Sequence, residues 1–245
     1  MSDTASPSSS GRAGFWRRAI AFVIDVCLIG LLISVIGVIS FRLTDGRTRL
    51  SSGLFDISIC SKADPQKIGL PIPPNFNVTE ADDCTKGFLG LQHDRVVTIT
   101  EITESGSVVY KRSFSYALDS NGHPTDVLYI DFTWLILLPV YILLAEWRFA
   151  RTIGKRLLGI RIRSLSGGPI GFVQALKRLI IRFLSWPFWA LSYAAPVQAS
   201  MSLFLFVSGL LCVSGLTVGV NFILATRHRL LPWDDRWALT EVVRG

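Results

Sequence analysis

Apolar residues in this chain are gathered into long runs rather than recurring at strand or helix period. A run of about 18 or more can cross a hydrocarbon core of roughly 30 Å. The first, Ala19 to Phe41, has Asp25 as its only charge, and the second, Val127 to Trp147, has Asp131 and Glu146 near its ends. A third, Met201 to Thr226, is uncharged, and its Gly215 and Gly219 make a small-xxx-small spacing suited to close helix contact. Leu179 to Val197 is interrupted by Arg182 and contains Pro187 and Pro196, so it either spans or dips in and returns. The pattern predicts an all-α membrane protein with about four transmembrane helices, near residues 19–41, 127–147, 179–197 and 201–226, within an embedded domain covering 15–244.

Polar segments complete the layout. Residues 1–14 are Ser-rich with nothing apolar to bury and read as a disordered cytoplasmic tail. The run that follows is longer than a signal-peptide core and has no A-x-A-like cleavage site after it, so it is expected to stay as a helix. Residues 42–126 form a polar insertion with β-favouring stretches, Val96 to Ile102 and Val108 to Leu118, around a turn-like Glu104 to Ser107. The expectation is a small β-containing extracytoplasmic loop. Cys60 and Cys84 lie outside the apolar runs and would form a disulfide in an oxidising compartment, with two free thiols as the alternative. Cys27 and Cys212 sit inside apolar runs, where they read as small hydrophobes.

Charge then sets orientation. Half of the 245 residues are apolar and 18% charged, against roughly a quarter for ordinary soluble domains. The net charge is +7, yet residues 42–126 hold 9 basic and 11 acidic residues, a balance of 9 − 11 = −2. The excess therefore lies on the other segments: Arg12, Arg17 and Arg18 at the start, an unbroken basic series from Arg148 to Arg178, and Arg227 to Arg244 at the end. Short basic loops are retained in the cytoplasm, so both termini are expected there. The charge is topological and does not point to nucleic acid.

Ionisable residues within apolar runs carry the chemistry. Each costs at least about 2.5 kcal/mol at the bilayer centre and needs a partner. Asp25 lies two helical turns after Arg18 on the same face, too far for a direct bridge, so a basic group on another segment is expected to face it, with Arg182 at a matching depth. It is either a proton or cation site or half of a structural ion pair. The stretch from Gly154 through Lys155 and Arg156 would place cations at lipid headgroups, with Gly159 allowing a turn. It lacks the glycine spacing and hydroxyl of a phosphate-binding loop. His93, His123 and His228 are scattered, and no nucleophile, metal or paired-carboxylate motif is present. No catalytic residue, metal or cofactor is assigned, and an enzyme is not expected.

Three segments share a further resemblance. Trp16-Arg17-Arg18-Ala19 through Asp25 resembles the R-x-x-A-x-x-x-D opening of the RDD family of bacterial membrane proteins. Arg151-Thr152-Ile153-Gly154-Lys155-Arg156 through Ile162 is similar to its T-x-G-K-R segment, and Asp234-Asp235-Arg236 through Val243 to its closing H-D-R-x-x-G-T-x-V-V. The resemblance implies that the named arginine is Arg18 and the aspartates Asp25 and Asp235, in the bacterial cytoplasmic membrane. Asp234 stands where the family often has His, and Leu239 where it often has Gly.

Two function classes fit. In one, Arg18, Asp25, Asp131, Glu146, Arg182 and Asp235 carry protons or small cations; in the other the same charges hold a membrane scaffold or assembly partner together. Expected partners are a bilayer with anionic lipids and either further copies of the chain or another membrane protein.

Overall fold

The computed structural model describes residues 11–50, 54–64, 69–105, 108–130, 133–183 and 231–244. It overturns the all-α expectation, since 32% of the described residues lie in strands, mostly in antiparallel sheets. The helices among them are α1 (Phe15–Leu43), α2 (Thr133–Phe149), α3 (Ile153–Leu157), α4 (Phe172–Arg182) and α5 (Trp233–Ala238). The strands are β1 (Thr48–Arg49), β2 (Ile57–Lys62), β3 (Glu80–Phe88), β4 (Leu91–Ser105), β5 (Val108–Ala117), β6 (Leu128–Tyr129), β7 (Ile160–Ser164) and β8 (Thr240–Arg244).

Among the described residues only α1 is long and apolar enough to cross a membrane. The four-helix expectation is corrected accordingly. The run from Val127 opens as strand β6, paired with β1, and α2 begins only at Thr133. The segment from Leu179 is the last turn of α4, which is capped by Phe183. Residues 184–197 and 201–226, with Gly215 and Gly219, lie outside the described residues. Apolar run length alone cannot separate a spanning helix from a strand followed by a shorter helix, because burial rewards both equally.

The chain divides into two compact units, and α1 contributes to both. The first comprises residues up to Cys27 and from Leu135 onward. Its core joins Ala13, Ala21, Ile160, Ile162, Ile170, Ala175 and Val242. Alternation in Ile160-Arg161-Ile162-Arg163 sends the isoleucines inward and the arginines outward, the period of a strand. Its partner β8 runs antiparallel, with Ile162 opposite Val242 and Ser164 opposite Thr240. Residues 1–10 lie outside the described residues, but the end of the expected tail is ordered: Arg12 bridges to Val243, and the buried Ala13 donates its N–H to the Val242 carbonyl (2.9 Å).

The second unit, Leu28–Trp134, is more than the hairpin its sequence foretold. The expected strands pair as β4 and β5, and β2 and β3 extend them into a sheet ordered β2-β3-β4-β5. One face covers Leu70, Phe76, Ala81, Val97, Ile99 and Leu118. Cys60 and Cys84 face each other across β2 and β3 and are disulfide-bonded, with Cα atoms 4.0 Å apart. Within this unit Gly37 admits the β1-flanking chain, because an added Cβ would lie 2.5 Å from the Leu50 carbonyl oxygen.

The long helices bury single polar groups among apolar ones and leave other apolar side chains exposed. Asp25 and Ser34 are buried on α1 while Leu32 and Ile39 are about half exposed, and on α2 Glu146 is buried while Ile136 is 64% exposed. Exposed apolar side chains together with buried ionisable ones suit a lipid surround.

A buried ion-pair clasp and a capped helix

The first unit holds two polar constructions. One is the start of α3. The opening amides of a helix have no intrahelical acceptor and must find one elsewhere. Here the Ile153 N–H donates to Tyr141 Oη (2.9 Å), the Gly154 N–H to Asp25 Oδ1 (2.8 Å) and the Lys155 N–H to Thr152 Oγ1 (3.4 Å). Tyr141 and Thr152 in turn donate their hydroxyls to Asp25, at 3.0 and 2.5 Å. Asp25 thus accepts three hydrogen bonds from α2 and the start of α3, and no cation among the described residues pairs with it. Gly154 is required by this approach, because an added Cβ would sit 2.9 Å from the Ala21 carbonyl carbon and 3.1 Å from Asp25 Cγ.

The other construction is a network of charges. Glu146 accepts from Lys155 Nζ, from Arg182 Nη1 (3.0 Å) and from Arg178 Nε (3.3 Å). Asp235, fully buried, accepts from Arg178 Nη1 through one oxygen and from Arg18 Nη1 (2.6 Å) through the other. Asp234 accepts from Arg182 Nη2 (3.1 Å), and Thr240 accepts from Arg178 Nη1 (2.6 Å). Arg18 also donates to the Ala13 carbonyl (3.1 Å). One continuous chain of pairs therefore ties the start of α1 to α2, α3, α4 and α5.

Electrostatics follow from burial and company. Burial pushes the Lys155 ammonium down to about 8, with Glu146 opposing and Arg182 and Arg178 adding to the fall. Burial alone would raise the Asp234 carboxyl, but Arg178, Arg182 and Arg18 outweigh it and hold Asp234 below the usual carboxylate range. Charges this deep are tolerated only when paired, and removing one partner leaves the other stranded. Among the described residues, no three His, Cys, Asp or Glu side chains converge as a metal site.

The profile of the RDD family matches residues 12–238, most of the chain. The protein belongs to the RDD family. No curated protein and no solved structure matches it. Membrane association follows from membership together with the apolar α1.

Arg18 and Asp235, which the resemblance makes the family's named arginine and second aspartate, are bonded to each other. The first aspartate, Asp25, belongs instead to the capped helix. Arg182, expected opposite Asp25, binds Glu146 and Asp234. Thr152 and Gly154 are explained by the cap, while Lys155, expected at lipid headgroups, turns inward to Glu146 because the helix start fixes its direction. Arg156 stays exposed, and Gly159 adopts φ +60° at the turn into β7. Asp131 lies outside the described residues. Sequence reading missed Arg178, the most connected member, and Tyr141. The available signal for Arg178 was its spacing of four from Arg182, which puts both on one face of α4.

Proposed function

We propose that this RDD protein is a multi-pass scaffold or assembly partner of the bacterial cytoplasmic membrane, with both termini cytoplasmic and its buried charges acting as a clasp. The observation that carries this reading is the occupancy of Asp25. Its three hydrogen bonds among the described residues come from groups that fix a helix start, so its carboxylate is committed to structure. The basic series following α2 supports the cytoplasmic assignment, and a disulfide between Cys60 and Cys84 supports an extracytoplasmic insertion. The partner is a further copy of the chain or another membrane protein.

Proton-coupled transport of small cations is the second reading. It is favoured by Lys155, a buried ammonium lowered to about 8 and in contact with Glu146, hence able to change charge near neutral pH.

Inverted vesicles decide between them. Wild-type protein and Asp25→Asn, matched for insertion, are compared for sodium-, lithium- or potassium-dependent collapse of a proton gradient. The scaffold reading expects both to behave as empty vesicles. Collapse seen with wild type and not with empty vesicles establishes transport instead, whether or not Asp25→Asn retains it.

A further inference from the structure

The clasp uses only part of the basic series. No Asp or Glu occurs between Glu146 and Asp234, so cations in that stretch have no acidic neighbour in sequence. Lys155, Arg178 and Arg182 turn inward to the clasp. Arg148, Arg151 and Arg156 do the opposite: all three are exposed, and none ion-pairs with a carboxylate among the described residues.

What lies between them is apolar and equally exposed. Phe149 is 66% exposed and Leu157 68%, with Trp147 and Ile153 also on the surface. Trp147 stacks edge-on against Phe172, ring centroids 5.3 Å apart. On α4 an arginine shares the inward face with Ala175, and apolar residues occupy part of the outward face. Arg178 faces the clasp, while Val173 and Ile180, seven positions apart and so on one face, point outward. Arginines interleaved with aromatic and aliphatic side chains suit the boundary between phosphate headgroups and acyl chains, where each kind of group meets its match. Water would leave the apolar members uncovered, and an acidic protein surface would not cover both kinds.

We propose that Trp147–Leu157, with the outer face of α4, forms an in-plane binding surface for anionic phospholipid headgroups. Phosphates are held by Arg148, Arg151 and Arg156, and the aromatic residues lie at acyl-chain depth. The surface rests on membrane association alone and stands whether the clasp is a scaffold or part of a transport path.

The test is a lipid titration of the purified full chain in neutral detergent, read by native mass spectrometry. Phosphatidylglycerol is compared with phosphatidylcholine, for wild type, for the triple variant Arg148→Gln/Arg151→Gln/Arg156→Gln, and for the matching triple lysine variant. Each cation near a lipid surface is worth about a fivefold preference, so the glutamine variant should lose about a hundredfold of the preference for phosphatidylglycerol. The lysine variant should keep most of it. Equal binding of the two lipids by wild type overturns the proposal, as does an undiminished preference in the glutamine variant. Competition by inorganic phosphate as effective as by the lipid would reassign the arginines to a soluble phosphate and also overturn it. Melting of the variants in phosphatidylcholine alone checks that they fold, and the wild-type comparison needs no variant.

Discussion

Arg18 Nη1 lies 2.6 Å from Asp235 Oδ2, joining residues 217 positions apart at the base of α1 and the first turn of α5. The same carboxylate holds Arg178 through its other oxygen. One aspartate therefore bonds two arginines, one of them fully buried.

Asp235→Ala should be among the most damaging single changes in the clasp. Removing one partner of a buried pair costs about 3–5 kcal/mol because the other charge remains unpaired. Arg18→Gln should cost less, since the Arg18 side chain is 18% exposed and the Asp235 carboxylate keeps Arg178. Thermal unfolding in detergent ranks the two; equal melting temperatures would refute the shared role of Asp235.

Gly154→Ala should separate α3 from α1. Its new methyl would have to displace backbone at Ala21 and the Asp25 carboxyl, neither of which is the flexible end of a long side chain. A cost of about 1–3 kcal/mol is typical for such overpacking, with the lost cap bonds added. Gly168→Ala, at an open position with ordinary φ, is the control and should leave melting unchanged.

Alkaline pH should stabilise the clasp through Lys155. Its folded value, about 8, lies below the ordinary 10.5, so between these limits the unfolded chain binds more protons. Stability therefore rises with pH through that window and is flat below it for this group. The arginines facing Lys155 do not titrate there. Lys155→Met should abolish the rise, measured as the difference in melting temperature between wild type and variant across the range. A wild-type curve parallel to that of the variant would show that Lys155 does not titrate in the window.

Leu239→Gly should stabilise the protein. Leu239 caps α5 with φ 53°, a left-handed conformation that costs a residue with a Cβ about 1–2 kcal/mol, and its side chain is 61% exposed, so little packing is lost. The glycine usual at this position in the family removes that strain. An unchanged or lower melting temperature would show that Leu239 contributes contacts which compensate for it.

The sequence by itself determined family, membrane association and the identity of most charged participants, because motif residues and apolar runs are local properties. Arg18, Asp25 and Asp235 were legible in this way, as were the β-favouring stretches of the insertion and the only cysteine pair outside the apolar runs. Partnership was not. That Asp25 caps α3 while Asp235 meets Arg18 depends on separations of more than one hundred residues, which no periodicity encodes. Ile160–Ser164 and Thr240–Arg244 became strands only because each found the other, and Lys155 turned inward only because Thr152 and Gly154 fixed the start of its helix. Local pattern sets which groups must be buried or paired; tertiary structure chose the partners, since the cost of a buried charge is removed by whichever opposite charge the packed elements bring within reach.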